Sequence, residues 1–192
     1  FVYLILVTDY RISTVDQILP ILEMCAREGR ALVIVADDIE GQALAALIMN
    51  AMRGTMKVAA IKAPHYGEER RNILEDLALS VGATFISRES GLKLQEVEMV
   101  DFGTSKFVES TKGNTIFVGG IADVEAIDTK ISSLKADIGE TESLEVCDTI
   151  QQRIVRLASG VAIIRVGGAT EVEMTERKHR IEDALEAVKA AQ

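Results

Sequence analysis

A chain of 192 residues with 48% hydrophobic and 27% charged residues has room for one sizeable core plus an appendage, and belongs to the globular class. Its formal charge of −9 disfavours a phosphate-backbone partner. The longest apolar runs, Phe1–Val7 and Ala43–Met49, are seven residues each, far short of a membrane span.

In chain order, "FVYLILV" reads as a strand rich in β-formers. Because proline lacks an N–H, Pro20 predicts a short turn and then a helix starting near Pro20, which Gly29 ends. "RALVIVA" (30–36) reads as a buried strand, followed by acidic "DDIEG" and a helix from 41 that Gly54 stops. "MKVAAIKAP" predicts another strand, "GEERRNILEDLALSVG" an amphipathic helix and "ATFIS" a short strand. Residues 89–113 are polar and weakly patterned, which predicts short strands and turns. "NTIFVGG" is a strand, and the helix after it places Val124, Ile127, Ile131 and Leu134 on one face. "SLEVCDTIQQRIVRLASG" predicts a further helix, "GVAIIRVGG" a strand, and Thr170 with Glu173 a capping box for a final helix to Gln192. Strands alternate with helices at intervals too long for hairpins, which predicts an α/β fold with parallel pairing. The chain opens inside an apolar run without an initiator Met and stops inside a helical pattern. It is therefore expected to be a piece of a longer protein, whose localisation signals would lie outside it.

One helix poses a question. "GQALAALIMNAMRG" carries no charge between Glu40 and Arg53. At about 100° per residue, Leu47 and Met49 lie roughly 160° apart around the axis, with Leu44 and Ile48 filling one arc between them. A single packed layer covers a stripe, so this helix is either buried on every side or keeps one face for a partner. Pattern alone leaves both open.

Other groups have ordinary readings. Gly119-Gly120 and Gly167-Gly168 follow strands, where phosphate can bind at a helix N-terminus, but neither completes a nucleotide-binding pattern, and tight turns are expected. Asp37, Asp38 and Glu40 follow a strand's C-terminal end; with no third ligand to nominate, they read as helix-start charges rather than a metal site. His65 and His179 have no nucleophile to pair with and read as solvated. Cys25 and Cys147 lie far apart, without metal-ligand spacing, and read as small hydrophobes.

Two stretches carry a resemblance: "ILPILEMCAREGRALVIVADDIEGQALAALIMNAMRGTMKVAAIKAP" and "QQRIVRLASGVAIIRVGGATEVEMTERKHRIEDAL". Both resemble GroEL-type group I chaperonins almost residue for residue. The resemblance covers nearly the whole chain, most weakly at 88–150. It implies the chaperonin apical-domain fold (swivelling β/β/α) over residues 1–160. Residues 161–192 would be a strand–helix piece, the C-terminal part of the intermediate domain, and the equatorial ATP-binding domain would be absent. Carried across, the polypeptide-binding positions are Leu19 and Leu22 on one helix and Leu44, Ile48, Met49 and Asn50 on the next. Asp183 matches the aspartate that helps activate water against the γ-phosphate of ATP, and Gly160 matches a hinge between the two domains.

The resemblance implies a molecular chaperone that binds non-native polypeptides and the co-chaperonin's mobile loop in one apolar groove. As a full-length subunit it would be a homo-oligomeric ring ATPase using ATP and Mg. This piece alone is expected to be a monomer without ATPase activity, bound metal or cofactor, and without nucleic-acid or membrane partners. The implied location is the cytoplasm or an organelle matrix. The sequence departs from the family at His65-Tyr66, where Gly-Phe is usual, at Ser159, which replaces the first of two hinge glycines, and in "TESLEVCDTI". Two rivals stand beside this reading. One is an α/β enzyme with its site near Asp37, Asp38 and the Gly-Gly turns; the other is an oligomerisation domain whose apolar helix is permanently covered.

Overall fold

The computed structural model describes residues 2–111 and 113–165. Its first half runs β1 (Tyr3–Thr8), β2 (Arg11–Ile12), α1 (Val15–Glu28), β3 (Leu32–Ala36), β4 (Asp38–Ile39), α2 (Gly41–Met52), β5 (Val58–Lys62), α3 (Gly67–Val81) and β6 (Phe85–Ile86). Two single 3-10 turns follow, then β7 (Gly103–Ser105), β8 (Phe107–Thr111), β9 (Asn114–Val118), α4 (Val124–Glu140), α5 (Leu144–Ser159) and β10 (Val161–Arg165).

The apolar runs become the central strands because they are covered on both faces. β5, β3, β1 and β6 lie side by side in that order, all parallel, with Leu4 opposite Leu32 and Leu32 opposite Val58. Parallel strands buried on two sides need no polar alternation, and all five residues of β3 are buried. On one face Leu4, Leu6 and Ile34 pack with Ile18 and Ile21 of α1 and Leu47 of α2. On the other, Ile5, Val7 and Val35 pack with Leu74 and Leu77 of α3. This is the α/β class the alternation predicts, a parallel sheet with flanking helices.

Antiparallel pairing enters in the weakly patterned region. β7 runs antiparallel to the first half of β1, and β8, β9 and β10 form a separate antiparallel sheet. The inner face of that sheet, with Phe117, Ala162 and Ile164, completes the core on the α3 side. α4 and α5 then pack beside α3 through Leu134, Ile150 and Leu157. Arg153 of α5 clasps Asp76 of α3 with two hydrogen bonds of 2.7 and 2.9 Å, which raises its pKa.

Two local expectations change. α1 begins at Val15, not near Pro20, so Pro20 sits inside the helix. Gln17 accepts from the N–H groups of Ser13 and Thr14, at 2.9 and 3.1 Å, and so secures an earlier start. The row Ile18, Ile21, Leu22 and Cys25 is buried, and that packing outweighs the missing Pro20 hydrogen bond. On α4, Val124 is 70% exposed while Leu134 is buried, so the apolar stripe leaves the core at the helix's N-terminal end. Gly120 has a steric role: a Cβ there would lie 2.5 Å from the Ser80 carbonyl oxygen and 2.9 Å from the Val81 Cα. The turn after β9 presses on the end of α3, and only glycine fits. The predicted final helix, its Thr170–Glu173 box, Gly167-Gly168 and His179 lie outside the described residues.

Candidate polypeptide-binding face

α1 and α2 lie on the same sheet face, and both sort their residues by angle. On α2 the spacing of four puts Ala43, Leu47 and Ala51 against the core. Leu44 and Ile48 are half-buried, and Leu44 packs against the edge of that core. Opposite the buried row, Met49 is 48% exposed, and Met52, one turn beyond Ile48, is 75% exposed. The helix is thus buried along one side only, and an apolar stripe with no charge in it meets solvent on the other.

The positions carried over from the family fall in different settings. Leu19 is 44% exposed on the outer side of α1. Leu22, expected beside it at the surface, is only 6% exposed and packs into the core under α1. The cause is the row i, i+3, i+4, i+7 from Ile18, which takes Leu22 inward. Asn50 turns back on its own helix: its amide donates to the Ala46 carbonyl at 2.8 Å, and its amide oxygen lies 3.2 Å from the Thr55 hydroxyl. Its polar groups therefore have local partners. Met52 is the apolar residue missing from the sequence reading, although its spacing from Leu44 and Ile48 marks the same stripe. Asp183 lies outside the described residues. Gly160 ends α5 with φ of 70°, in the left-handed region, with open space where a Cβ would stand.

The carboxylates after β3 are engaged in ion pairs. Asp37 pairs with Arg70. Asp38, buried, faces Arg11 at 3.3 Å and Lys62 at 3.2 Å, and Glu40 faces the Arg11 Nε at 2.9 Å. These pairs hold elements together. Among the described residues no group of three or more His, Cys, Asp or Glu side chains could hold a metal ion. No described helix is long and apolar enough to cross a membrane.

Below the C-terminal ends of α1 and α2 opens a cavity of about 780 Å³, lined by Tyr3, Cys25, Ala26, Arg30, Met56 and Lys57. It meets the ends of the two helices, not their exposed stripe. Burial pushes the Cys25 thiol up to about 11, against the opposing pull of Arg30, so it stays protonated near neutrality. Cys147 is half-buried between α4 and α5, its Sγ 3.9 Å from the Ile138 carbonyl. His65, on the loop after β5, is exposed and 3.6 Å from Glu69.

The site is thus a parallel sheet carrying a helix whose solvent-facing side is apolar and uncharged. Comparison with known proteins gives the chain's family. Residues 7–192 match the model of the TCP-1/cpn60 chaperonin family, and the chain belongs to that family. Among solved structures, it is similar to the chaperonin gp146 of bacteriophage EL 2 (Pseudomonas aeruginosa), crystallised in the presence of ATP-BeFx. Against crystal form II the TM-score is 0.54 at 20% identity, over 99% of this chain and 38% of that one. Against form I it is 0.53 at 19% identity, over 98% of this chain and 37% of that one. At these identities the likeness concerns the fold, and the chain spans well under half the length of the phage chaperonin.

Proposed function

We propose that residues 1–160 form the polypeptide-binding apical domain of an ATP-dependent ring chaperonin, and that the exposed stripe on α1 and α2 takes up non-native chains. The observation that carries this is the exposure of Met49 and Met52 on α2, a stretch uncharged from Gly41 to Met52, with exposed Leu19 on the neighbouring α1. Unfolded chains share exposed apolar side chains and little else, so a receptor for them needs apolar area without fixed hydrogen-bond geometry. Flexible methionines suit that need, because an unbranched thioether adapts to many shapes. Leu44 and Ile48 would form the floor of the site and Leu22 the support beneath it. A co-chaperonin's loop would compete for the same stripe.

In the full-length subunit, residues 161–192 would belong to the intermediate domain. Asp183 would position water for hydrolysis of ATP held with Mg on the equatorial domain, and Gly160 would absorb part of the domain rotation. The piece alone would not turn over ATP. Support for this part comes from family membership and from the left-handed φ of Gly160.

The test compares charges placed on the stripe with a charge placed under it. Leu44 is half-buried, so a charge there would disturb the fold as well as the face; Leu19 and Met49 are cleaner positions. Leu19→Glu and Met49→Glu should keep the wild-type circular dichroism spectrum and lose most capture of a chemically denatured protein. Leu47→Glu, at 2% exposure, should unfold the domain. Normal capture by both folded variants would remove the stripe from the binding site. A stable dimer with the stripe covered would favour the oligomerisation reading.

A further inference from the structure

The two helices of the proposed site begin from a shared clamp. β2 and β4 are two residues each and pair in parallel, Arg11 opposite Asp38 and Ile12 opposite Ile39. β2 leads into α1 after Ser13 and Thr14, and β4 leads into α2 after Glu40. Backbone bonds tie these lead-ins: the Glu40 N–H donates to the Ile12 carbonyl at 2.9 Å, and the Ala43 N–H to the Ser13 carbonyl at 3.2 Å. Pairing this short has little strength of its own.

A single buried carboxylate sits at its centre. Asp38 Oδ1 accepts the Ile39 N–H at 2.8 Å, while Oδ2 faces both Arg11 and Lys62. Arg11 spans Asp38 and Glu40, and its carbonyl accepts from the Gln17 side chain of α1 at 3.3 Å. Polar contacts therefore run from Gln17 of α1 to the Arg11 backbone carbonyl, and from the Arg11 side chain to Asp38 and Glu40 at the start of α2, with Lys62 anchoring Asp38 to β5. A carboxylate this buried needs its cations, so the arrangement resists being pulled open.

We propose that Asp38 and Arg11 are positioning residues for the polypeptide-binding face: they set the spacing of the N-terminal ends of α1 and α2, and so the breadth of the apolar stripe. Neither touches a bound chain. The inference rests on the function proposed above, and two separate readouts keep the failures apart.

In a Cys147→Ser background, spin labels at Asp16→Cys and Gln42→Cys, both exposed in the first turns of α1 and α2, report the spacing directly. Asp38→Asn and Arg11→Met should broaden or shift that distance distribution and weaken capture of a denatured protein by roughly 3- to 10-fold, with circular dichroism unchanged. Lys62→Met also deprives Asp38 of a cation but does not link the helices. It should lower thermal stability while leaving both the distance and the capture as in the wild type. If Asp38→Asn does not fold, the exposed Arg11→Met carries the test. An unchanged distance in a folded Arg11→Met variant overturns the proposal, as does a Lys62→Met variant that behaves like Arg11→Met. If the unmutated chain captures no denatured protein, the function fails while the distances still judge the clamp.

Discussion

His65 concentrates the conflict between local chemistry and fold. Its φ is 61°, the only non-glycine value in the left-handed region among the described residues, and Gly67 two positions on is also left-handed. A side chain with a Cβ is strained there, at roughly 1–3 kcal/mol, and a histidine is tolerated better than a branched residue. The compensation in view is the 3.6 Å approach to Glu69, both side chains exposed, which contributes little. Glycine would relieve the strain and return part of the gain through a more flexible unfolded chain. His65→Gly should therefore stabilise the protein by about 0.5 kcal/mol, and His65→Val should destabilise it by about 1–2 kcal/mol. Urea denaturation midpoints of the three proteins decide it. A histidine more stable than the glycine variant would mean the loop draws on a contact of the imidazole that outweighs the backbone strain.

At the scale of elements, legibility followed pattern strength. β1, β3 and β5 could be read because burial on both faces writes unbroken apolar runs, and α3, α4 and α5 because local signals mark their ends: glycine stops after α3 and α5 and the Asp123 and Ser143 caps before α4 and α5. β9 and β10 could also be read as strands, but not their antiparallel pairing, which joins segments more than 40 residues apart, nor β8, whose hairpin with β9 lies in the polar, weakly patterned stretch. The stripe on α2 was legible as an absence of charge, whereas the inward turn of Leu22 depended on where α1 begins. There Pro20 hid the answer, although Thr14 and Gln17 already held the capping pattern. The misjudged balance can be measured. Proline inside a helix is about 3 kcal/mol worse than alanine, an amount reduced here by the stiffness it gives the unfolded chain. Pro20→Ala should stabilise by roughly 1–2 kcal/mol, with the melting temperature rising about 2–4 °C per kcal/mol for a chain this size. No rise, or a fall, would mean that α1 is bent at Pro20 to fit the sheet and that the bend is required.

At the scale of the whole molecule, the size of the stripe limits what one chain can hold. Leu19, Met49 and Met52 are largely exposed and Leu44 and Ile48 half so. Complete burial of a large aliphatic side chain contributes about 1.5–3 kcal/mol, and only the exposed fractions remain to be buried, so this set supplies roughly 3–7 kcal/mol before costs. Association and the ordering of a flexible client oppose it by about 4–15 kcal/mol. These terms nearly cancel, and a single domain should hold an extended apolar peptide no more tightly than about micromolar. Weak single contacts suit the proposed ring, in which several such faces would meet one client, since a second face then acts at an effective concentration near millimolar and raises avidity by about 10²–10⁴. The measurement is the affinity for a denatured protein of the single chain and of two or three copies joined by flexible linkers. The linked forms should bind at least ~100-fold more tightly, and Met49→Glu in every copy should abolish the gain. Nanomolar one-to-one binding by the single chain would refute the cancellation. Equal affinity of the single and linked forms would show that clients engage one face at a time, and the multivalent account of capture would fall with it.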